Sequence, residues 1–506
     1  MTSHAIPSCV FAEQILRNQM YFRRMEQKIA RQATLKKRCH AALDAAEYAV
    51  HHATDVFASA EVEAPFLELA RSVSFDLEET FEEGSFLHVM TEAYVSGGHT
   101  RCVERWIEHS PSGQSHSCII LNQRAPLPAS LERICSEHGG HVVLCDKNKS
   151  MLEVALELRV LASRFSCIVL HTHMDDPRAL IAFGTPEFRR PIVLFNHADH
   201  IFWLGSSIAD QVADINSSGS IITAEHRNIL ETFVLGIPSD GQKKELSGKD
   251  DARKKLGITS DRKIIFASGS STKFLRSETI GFADIISSIL TQEPDAQFCI
   301  IGVSGKDEEW QRCKQHASRI MLMKTMPYDQ YCQWLSSADL VLDSYPVGGG
   351  TALIDAVTAE KPVLSLNPVQ QSDFIYNTEA CCSTIDELLI KTHHILHDSE
   401  YALEHAKKTY RNFELCHSAD AWKRRLKGLL QGLPSFHKVW NRRQEKSSFS
   451  EVSMVTSRFC RWIEPRLARQ NPLKTLWHRL FSVKWKSTHK ELKIFGWHLF
   501  YDRNIF

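Results

Sequence analysis

Early in the chain, apolar positions recur at helical spacing. Phe11, Ile15, Leu16, Phe22 and Met25 follow this rhythm, and residues 8–83 hold no glycine and one proline, Pro65. Residues 1–84 are therefore expected to be helical. From residue 85 the texture changes to short apolar runs separated by helical stretches, the pattern of parallel βαβ units. Strands are expected over residues 86–91, 118–121, 142–145, 167–171, 192–196 and 220–223, which makes 85–236 one Rossmann-like lobe. A polar stretch with glycine and lysine, 237–261, reads as a linker. The alternation then resumes with strands at 263–268, 297–301, 320–323, 340–343 and 363–366, so 237–400 forms a second lobe of the same class. Helical spacing returns over 385–431 and stops at Gly432 and Pro434. Residues 401–433 are expected to run back to the first lobe, with Trp422 bracing the return. The fold class is α/β.

Composition narrows the class. The 506 residues are 43% hydrophobic and 24% charged, which suits a globular protein and excludes both a disordered chain and a membrane bundle. No apolar run reaches the roughly 18 to 20 residues of a membrane span. The fourteen cysteines are scattered apart from Cys381 and Cys382 and form no CxxC pair, and Glu13, Arg17, Arg23 and Arg24 interrupt the N-terminal apolar residues. A reduced, cytoplasmic protein without a secretory signal is expected. Net charge is zero, yet residues 434–506 carry fifteen Lys and Arg against five Asp and Glu, with five of the ten tryptophans, Trp440, Trp462, Trp477, Trp485 and Trp497. Cations interleaved with indoles suit an anionic membrane surface, so peripheral attachment through this basic aromatic tail is expected, against the alternative of packing on the rest of the chain. Nucleic acid is disfavoured, because no recognisable binding module accompanies the charge. The helices of 1–84 read as a structural cap or a contact between copies in a homo-oligomer, with acceptor recognition as a further role.

The run from Ala338 to Ala356, ADLVLDSYPVGGGTALIDA, carries the most chemistry. A strand enters a turn at Gly348, Gly349 and Gly350, and the turn opens a helix whose first amides are free to hold a diphosphate. Thr351 adds a hydroxyl, and Asp355, one turn on, is placed to accept hydrogen bonds from a ribose. In the first lobe, His171 and His173 follow one expected strand and His197 and His200 the next, with Asp175, Asp176 and Asp199 nearby. Ligands of open α/β sheets bind at strand C-termini. A neutral imidazole can take a proton from an acceptor hydroxyl, which makes His197 the first candidate for general base, with His173 and Asp199 as acceptor-side rivals. The spacing of these histidines fits no standard zinc set, so no metal and no cofactor is expected.

The run around Gly348 to Asp355, followed by EKPVLSL from Glu360, resembles the donor-binding segment of GT-B glycosyltransferases, both the group related to O-GlcNAc transferase and the bacterial glycosyltransferase group 1. The resemblance covers about residues 85–398 and implies two Rossmann-like lobes with a cleft between them. It implies a lysine after the first strand of the second lobe, aimed at the donor diphosphate, which the run FASGSSTKF from Phe266 supplies as Lys273, with Arg276 in support. In the first lobe it sets the run from Leu87 to Arg101 against the donor, so that Gly97 and Gly98 give amides while His99 and Thr100 line the floor. The retaining branch carries two glutamates where this chain has Val347 and Asp355, which implies inversion. The implied partners are a nucleotide-sugar donor, with uridine as the default base, and a glycan, lipid-linked or protein acceptor. Two alternatives share the fold: a sugar-nucleotide epimerase, and a non-catalytic scaffold that binds sugar nucleotides.

Overall fold

The computed structural model describes residues 12–73, 80–95, 98–237, 246–259, 262–274, 280–305, 308–348, 351–366 and 379–442, the strands 481–485, 490–494 and 497–502, and Ile505. The chain divides into two compact units near Pro238 and crosses back between Ala421 and Trp422.

The first unit opens with α1 (Ala12–Ala30), α2 (Leu35–His51) and α3 (Ala60–Arg71), then runs β1 (Glu82–Met90), α4 (Gly98–Glu108), β2 (Ser115–Ile120), α5 (Ala129–Glu137), β3 (Val142–Leu144), α6 (Met151–Ala162), β4 (Phe165–His171), α7 (Arg178–Phe183), β5 (Ile192–Asn196), β6 (Gln211–Asp214), α8 (Ser217–Arg227) and β7 (Thr232–Val234). Its strands form one parallel sheet in the order β3-β2-β1-β4-β5-β6-β7. The helices before residue 84 are built into this unit. Phe22, Leu43 and Phe66 share a core with Leu87, Leu158 and Phe183, so the buried stripe of α1 is covered by the sheet's own helices. Glu63 fastens α3 to the loop before β6 by accepting the amides of Gly205, Ser206 and Ser207 at 2.7, 2.9 and 2.8 Å.

The second unit contains α9 (Lys249–Leu256), β8 (Lys263–Ser268), α10 (Phe282–Gln292), β9 (Ala296–Ile301), β10 (Ile320–Met323), α11 (Tyr328–Ser337), β11 (Leu340–Leu342), α12 (Thr351–Thr358), β12 (Val363–Leu366), β13 (Cys381–Cys382), α13 (Ile385–His397) and α14 (Ser399–His417). Its parallel sheet has the order β10-β9-β8-β11-β12-β13, with Phe266, Phe282, Phe298 and Leu364 among its buried residues. The next helix, α15 (Ala419–Gln431), carries the chain into the first unit, where Trp422 packs edge-on against Trp106 with ring centroids 5.6 Å apart.

Three sequence expectations are corrected. Residues 220–223 belong to α8 and not to a strand: Asn216 caps the helix by accepting the Gly219 amide at 2.7 Å, and of two adjacent isoleucines Ile222 is buried while Ile221 is exposed. Part of the expected linker is α9, closed by Gly257 at φ 67°. The segment 434–442 is no surface tail. The buried Asp210 carboxylate faces His437 Nδ1 at 2.8 Å and accepts the Lys438 amide at 2.9 Å and the Trp440 indole at 3.3 Å, and Arg442 pairs with Glu231 at 2.8 Å.

Farther on, β14 (Phe481–Trp485), β15 (Lys490–Ile494) and β16 (Trp497–Asp502) form an antiparallel sheet. The Ile505 carbonyl accepts the Leu152 amide at 2.9 Å, and its side chain is buried in the first unit's core. Trp462 and Trp477 lie outside the described residues. No described helix is long and apolar enough to cross a membrane.

Candidate functional site

In each sheet the strand order reverses once, between β1 and β4 and between β8 and β11. Loops leaving the two strands on either side of such a point diverge and open a crevice at their C-terminal ends. The candidate residues of each unit stand at such a point or at the end of the next strand.

In the first unit the point is locked by Thr91, just past β1. Its hydroxyl donates to Asp176 at 2.7 Å and accepts the His173 amide at 2.9 Å. Asp176 also takes the amide and Nε of Arg178 at 3.1 and 3.0 Å. His173 is half-buried, and its Nε2 lies 3.2 Å from the Tyr94 hydroxyl, which also donates to Glu92 at 3.1 Å. Glu92 stays below the usual carboxylate range: burial raises it, and the Arg124 guanidinium and the amide of Ala125 more than offset this. His197 and His173 line one pocket with Asn196 and Trp203. Burial pushes His197 down to about 4, against the pull of the Phe195 carbonyl and with help from His173 and His200. Its Nδ1 faces that carbonyl at 3.3 Å. Such a contact favours the proton on Nδ1 and leaves the Nε2 lone pair for an incoming proton.

Gly98 and His99 start α4. The His99 ring sits 4.5 Å from that of His197. Burial holds His99 well below the imidazole range, and its Nε2 has no hydrogen-bond partner among the described residues. The Thr100 hydroxyl accepts the Tyr94 amide at 2.8 Å. Asp199 faces the His200 ring at 3.0 Å, and burial, which raises its pKa, is outweighed by His200 and Arg227. Gly97 lies outside the described residues.

Beneath this group runs a buried row of imidazoles. His116 Nδ1 lies 3.0 Å from His88 Nε2, and His88 Nδ1 lies 3.1 Å from His171 Nε2. Trp106 meets both His88 and His171 edge-on. The sequence pointed to His171 as a strand end but not to His88 or His116, which sit within strands.

In the second unit Lys273 lies on a short 3₁₀ turn, Ser271–Phe274, directly after β8. Phe274 anchors the turn in the core against Phe282 at 4.8 Å. The Lys273 ammonium donates to the Gly348 carbonyl at 2.8 Å, and burial lowers its pKa while Asp343 partly restores it. Asp343, at the end of β11, is itself held by the Ser344 amide at 2.8 Å and the Ser365 hydroxyl at 3.0 Å. Lys273 and Gly348 are thus brought together.

Asp355, on α12, accepts the Tyr328 hydroxyl at 3.3 Å. Tyr328 is exposed and stacks on Tyr331 at 5.7 Å, and Tyr331 is raised above the usual phenol range by burial and by Asp355. These two tyrosines, from the first turn of α11, were not singled out in the sequence. Their i,i+3 spacing is its one signal. Arg276, Gly349 and Gly350 lie outside the described residues, as does the side chain of Thr351, whose backbone begins α12.

Two parallel sheets with these strand orders match known structures over most of the chain. HepE of Anabaena, solved with UDP and glucose, aligns at a TM-score of 0.50 and 14% identity, over 68% of this chain and 99% of that one. An O-GlcNAc transferase mutant of Thermobaculum terrenum aligns at 0.51 and 14%, over 83% and 82%. The chain has the GT-B fold. A glycosyltransferase from Rickettsia africae agrees, with a TM-score of 0.51 at 12% identity over 70% of this chain and 99% of that one. No family model matches the sequence, and no curated protein is significantly similar to it. These likenesses establish the GT-B architecture.

Proposed function

We propose that this GT-B protein is a glycosyltransferase that moves a sugar from a UDP-linked donor to an acceptor hydroxyl by a single inverting displacement that needs no metal. The observation that carries the reading is the second unit's switch point. An ammonium, Lys273, meets the Gly348 carbonyl ahead of α12, and the Asp355 carboxylate stands one turn into the helix. An ammonium beside a helix N-terminus suits a diphosphate leaving group, a carboxylate suits ribose hydroxyls, and the exposed Tyr328 ring offers a face for a base. UDP in the HepE structure favours uridine. In this reading His197 receives the acceptor proton at Nε2, while Lys273 and the first amides of α12 take up charge on the departing diphosphate.

Calorimetry with UDP, GDP and ADP, followed by donor hydrolysis and transfer assays in EDTA, tests the proposal. Binding of UDP with turnover in EDTA supports it. No nucleotide binding, or turnover restored only by Mn²⁺, overturns it, and interconversion of the free donor sugar would mark an epimerase instead. Proton NMR of the new anomeric linkage decides between inversion and retention. The acceptor is a glycan, a lipid-linked sugar or a protein. Support for membrane attachment rests on the basic residues beyond 442, and reversing the charge of Arg466, Arg469, Lys474 and Arg479 is expected to release the protein from anionic vesicles.

A further inference from the structure

Glu293 closes the C-terminal end of α10, and His393 and His397 stand one turn apart near the end of α13. The carboxylate side chain is 6% exposed, the two imidazoles 59% and 44%. Each carboxylate oxygen faces one ring nitrogen: Oε1 is 2.8 Å from His393 Nδ1, and Oε2 is 2.6 Å from His397 Nε2. The ring centroids are 4.5 Å apart, and the three residues' ligand atoms all lie within 4.8 Å of one another. A carboxylate removed from water needs a cation or strong donors. The guanidinium at hand, Arg319, is spent on the Glu293 and Pro294 carbonyls at 2.9 and 3.1 Å.

We propose that Glu293, His393 and His397 bind a divalent transition-metal ion, zinc(II) by preference, which fastens the end of α10 to the end of α13. Histidines four apart share one helix face, the arrangement that helical zinc-ligand pairs use. Two imidazoles and a carboxylate make three protein ligands, and the open side leaves a position for water. Two nitrogen ligands disfavour calcium and magnesium, which take oxygen sets. Metal–ligand distances of about 2.0 to 2.2 Å put neighbouring ligand atoms roughly 3.3 Å apart in a tetrahedron. The two carboxylate–imidazole separations of 2.8 and 2.6 Å need to open by roughly 0.5 to 0.7 Å, a motion that exposed imidazoles allow. The site shares no residue with Lys273, Gly348 or Asp355, so it braces the second unit and takes no part in transfer.

The full-length protein, stripped by chelator, is titrated with zinc(II) and with cobalt(II), alongside the His393→Asn/His397→Asn double variant and Glu293→Gln. Fourteen cysteines offer competing sites, so the reading is the difference between proteins. The double variant is expected to lose one equivalent of zinc, the ligand-field absorption of one bound cobalt(II), and the rise in melting temperature that zinc gives the wild type. Glu293→Gln is expected to weaken that equivalent roughly tenfold or more. Equal stoichiometry, affinity and melting shift in wild type and double variant overturn the site, and so does a wild type that takes up no zinc. If the double variant loses its far-ultraviolet circular dichroism, His397→Asn alone carries the same comparison.

Discussion

The His197 ring, just past the end of β5, lies 4.5 Å from the His99 ring in the first turn of α4. Burial keeps both neutral. His197→Ala is expected to lower turnover by about 10² to 10⁴, the usual worth of a general base, with nucleotide affinity unchanged in calorimetry. Its pKa of about 4 also places the acid limb of kcat/KM well below the ordinary imidazole value. A variant that keeps turnover within about threefold removes His197 from the chemistry.

Lys273 and Asp355 are expected to act on different parts of the donor. Lys273→Ala removes the cation beside Gly348 and is expected to lower kcat by about 2.7 to 4 kcal/mol of transition-state stabilisation, the range for a preorganised electrostatic group. Asp355→Ala is expected to weaken nucleotide binding about tenfold, with a smaller change in kcat. Steady-state kinetics beside calorimetry separates the two, and mild, equal effects at both positions would remove the donor site.

Acid is expected to unfold the first unit early. Burial holds His88, His99 and His171 well below the imidazole range, His116 at about 3 and His197 at about 4. The unfolded chain takes up protons at these rings near pH 6.5. The unfolded state therefore binds more protons from roughly pH 6.5 down to 4, and stability falls as pH falls through that window. Each ring still neutral in the fold adds a slope approaching about 1.4 kcal/mol per pH unit. Urea midpoints between about pH 7 and pH 5 measure it, and His116→Phe is expected to flatten the slope by one ring's share. A level profile in the wild type contradicts neutral burial.

Ending the chain after Leu433 is expected to destabilise the first unit. Asp210 would lose its contacts to His437, Lys438 and Trp440 in a fully buried setting. His437→Ala alone is expected to cost about 1.5 to 3 kcal/mol, the range for a hydrogen bond to a charged group, and the truncation more. Identical urea midpoints for truncated and full-length chains would make the segment dispensable.

The sequence exposed several strands as unbroken apolar runs bounded by polar residues, and Lys263–Ser268, Ile320–Met323 and Val363–Leu366 fall where expected. It hid β6, whose two apolar residues, Val212 and Ala213, stand between Gln211 and Asp214. It also disguised α8, because adjacent isoleucines look like a strand until a cap and a solvent face are known. The site divides in the same way. His171, His173 and His197 follow apolar runs and could be read as strand ends. Thr91 with Asp176 and Glu92 with Arg124 are separated by 85 and 32 residues, and only the strand order brings such partners together.

His116, His88 and His171 form one buried row. His88 gives both ring nitrogens to other imidazoles, yet a neutral ring carries a single N–H, so it donates to one neighbour and accepts from the other. Head-to-tail order follows, and it has two senses. In one the surplus N–H is at His171 Nδ1, in the other at His116 Nε2, and neither atom has a hydrogen-bond partner among the described residues. The interior of the first sheet therefore holds a reversible dipole laid across β2, β1 and β4. Turning it over passes polarity from His116 to His171, beside His99, without placing an ion in the core.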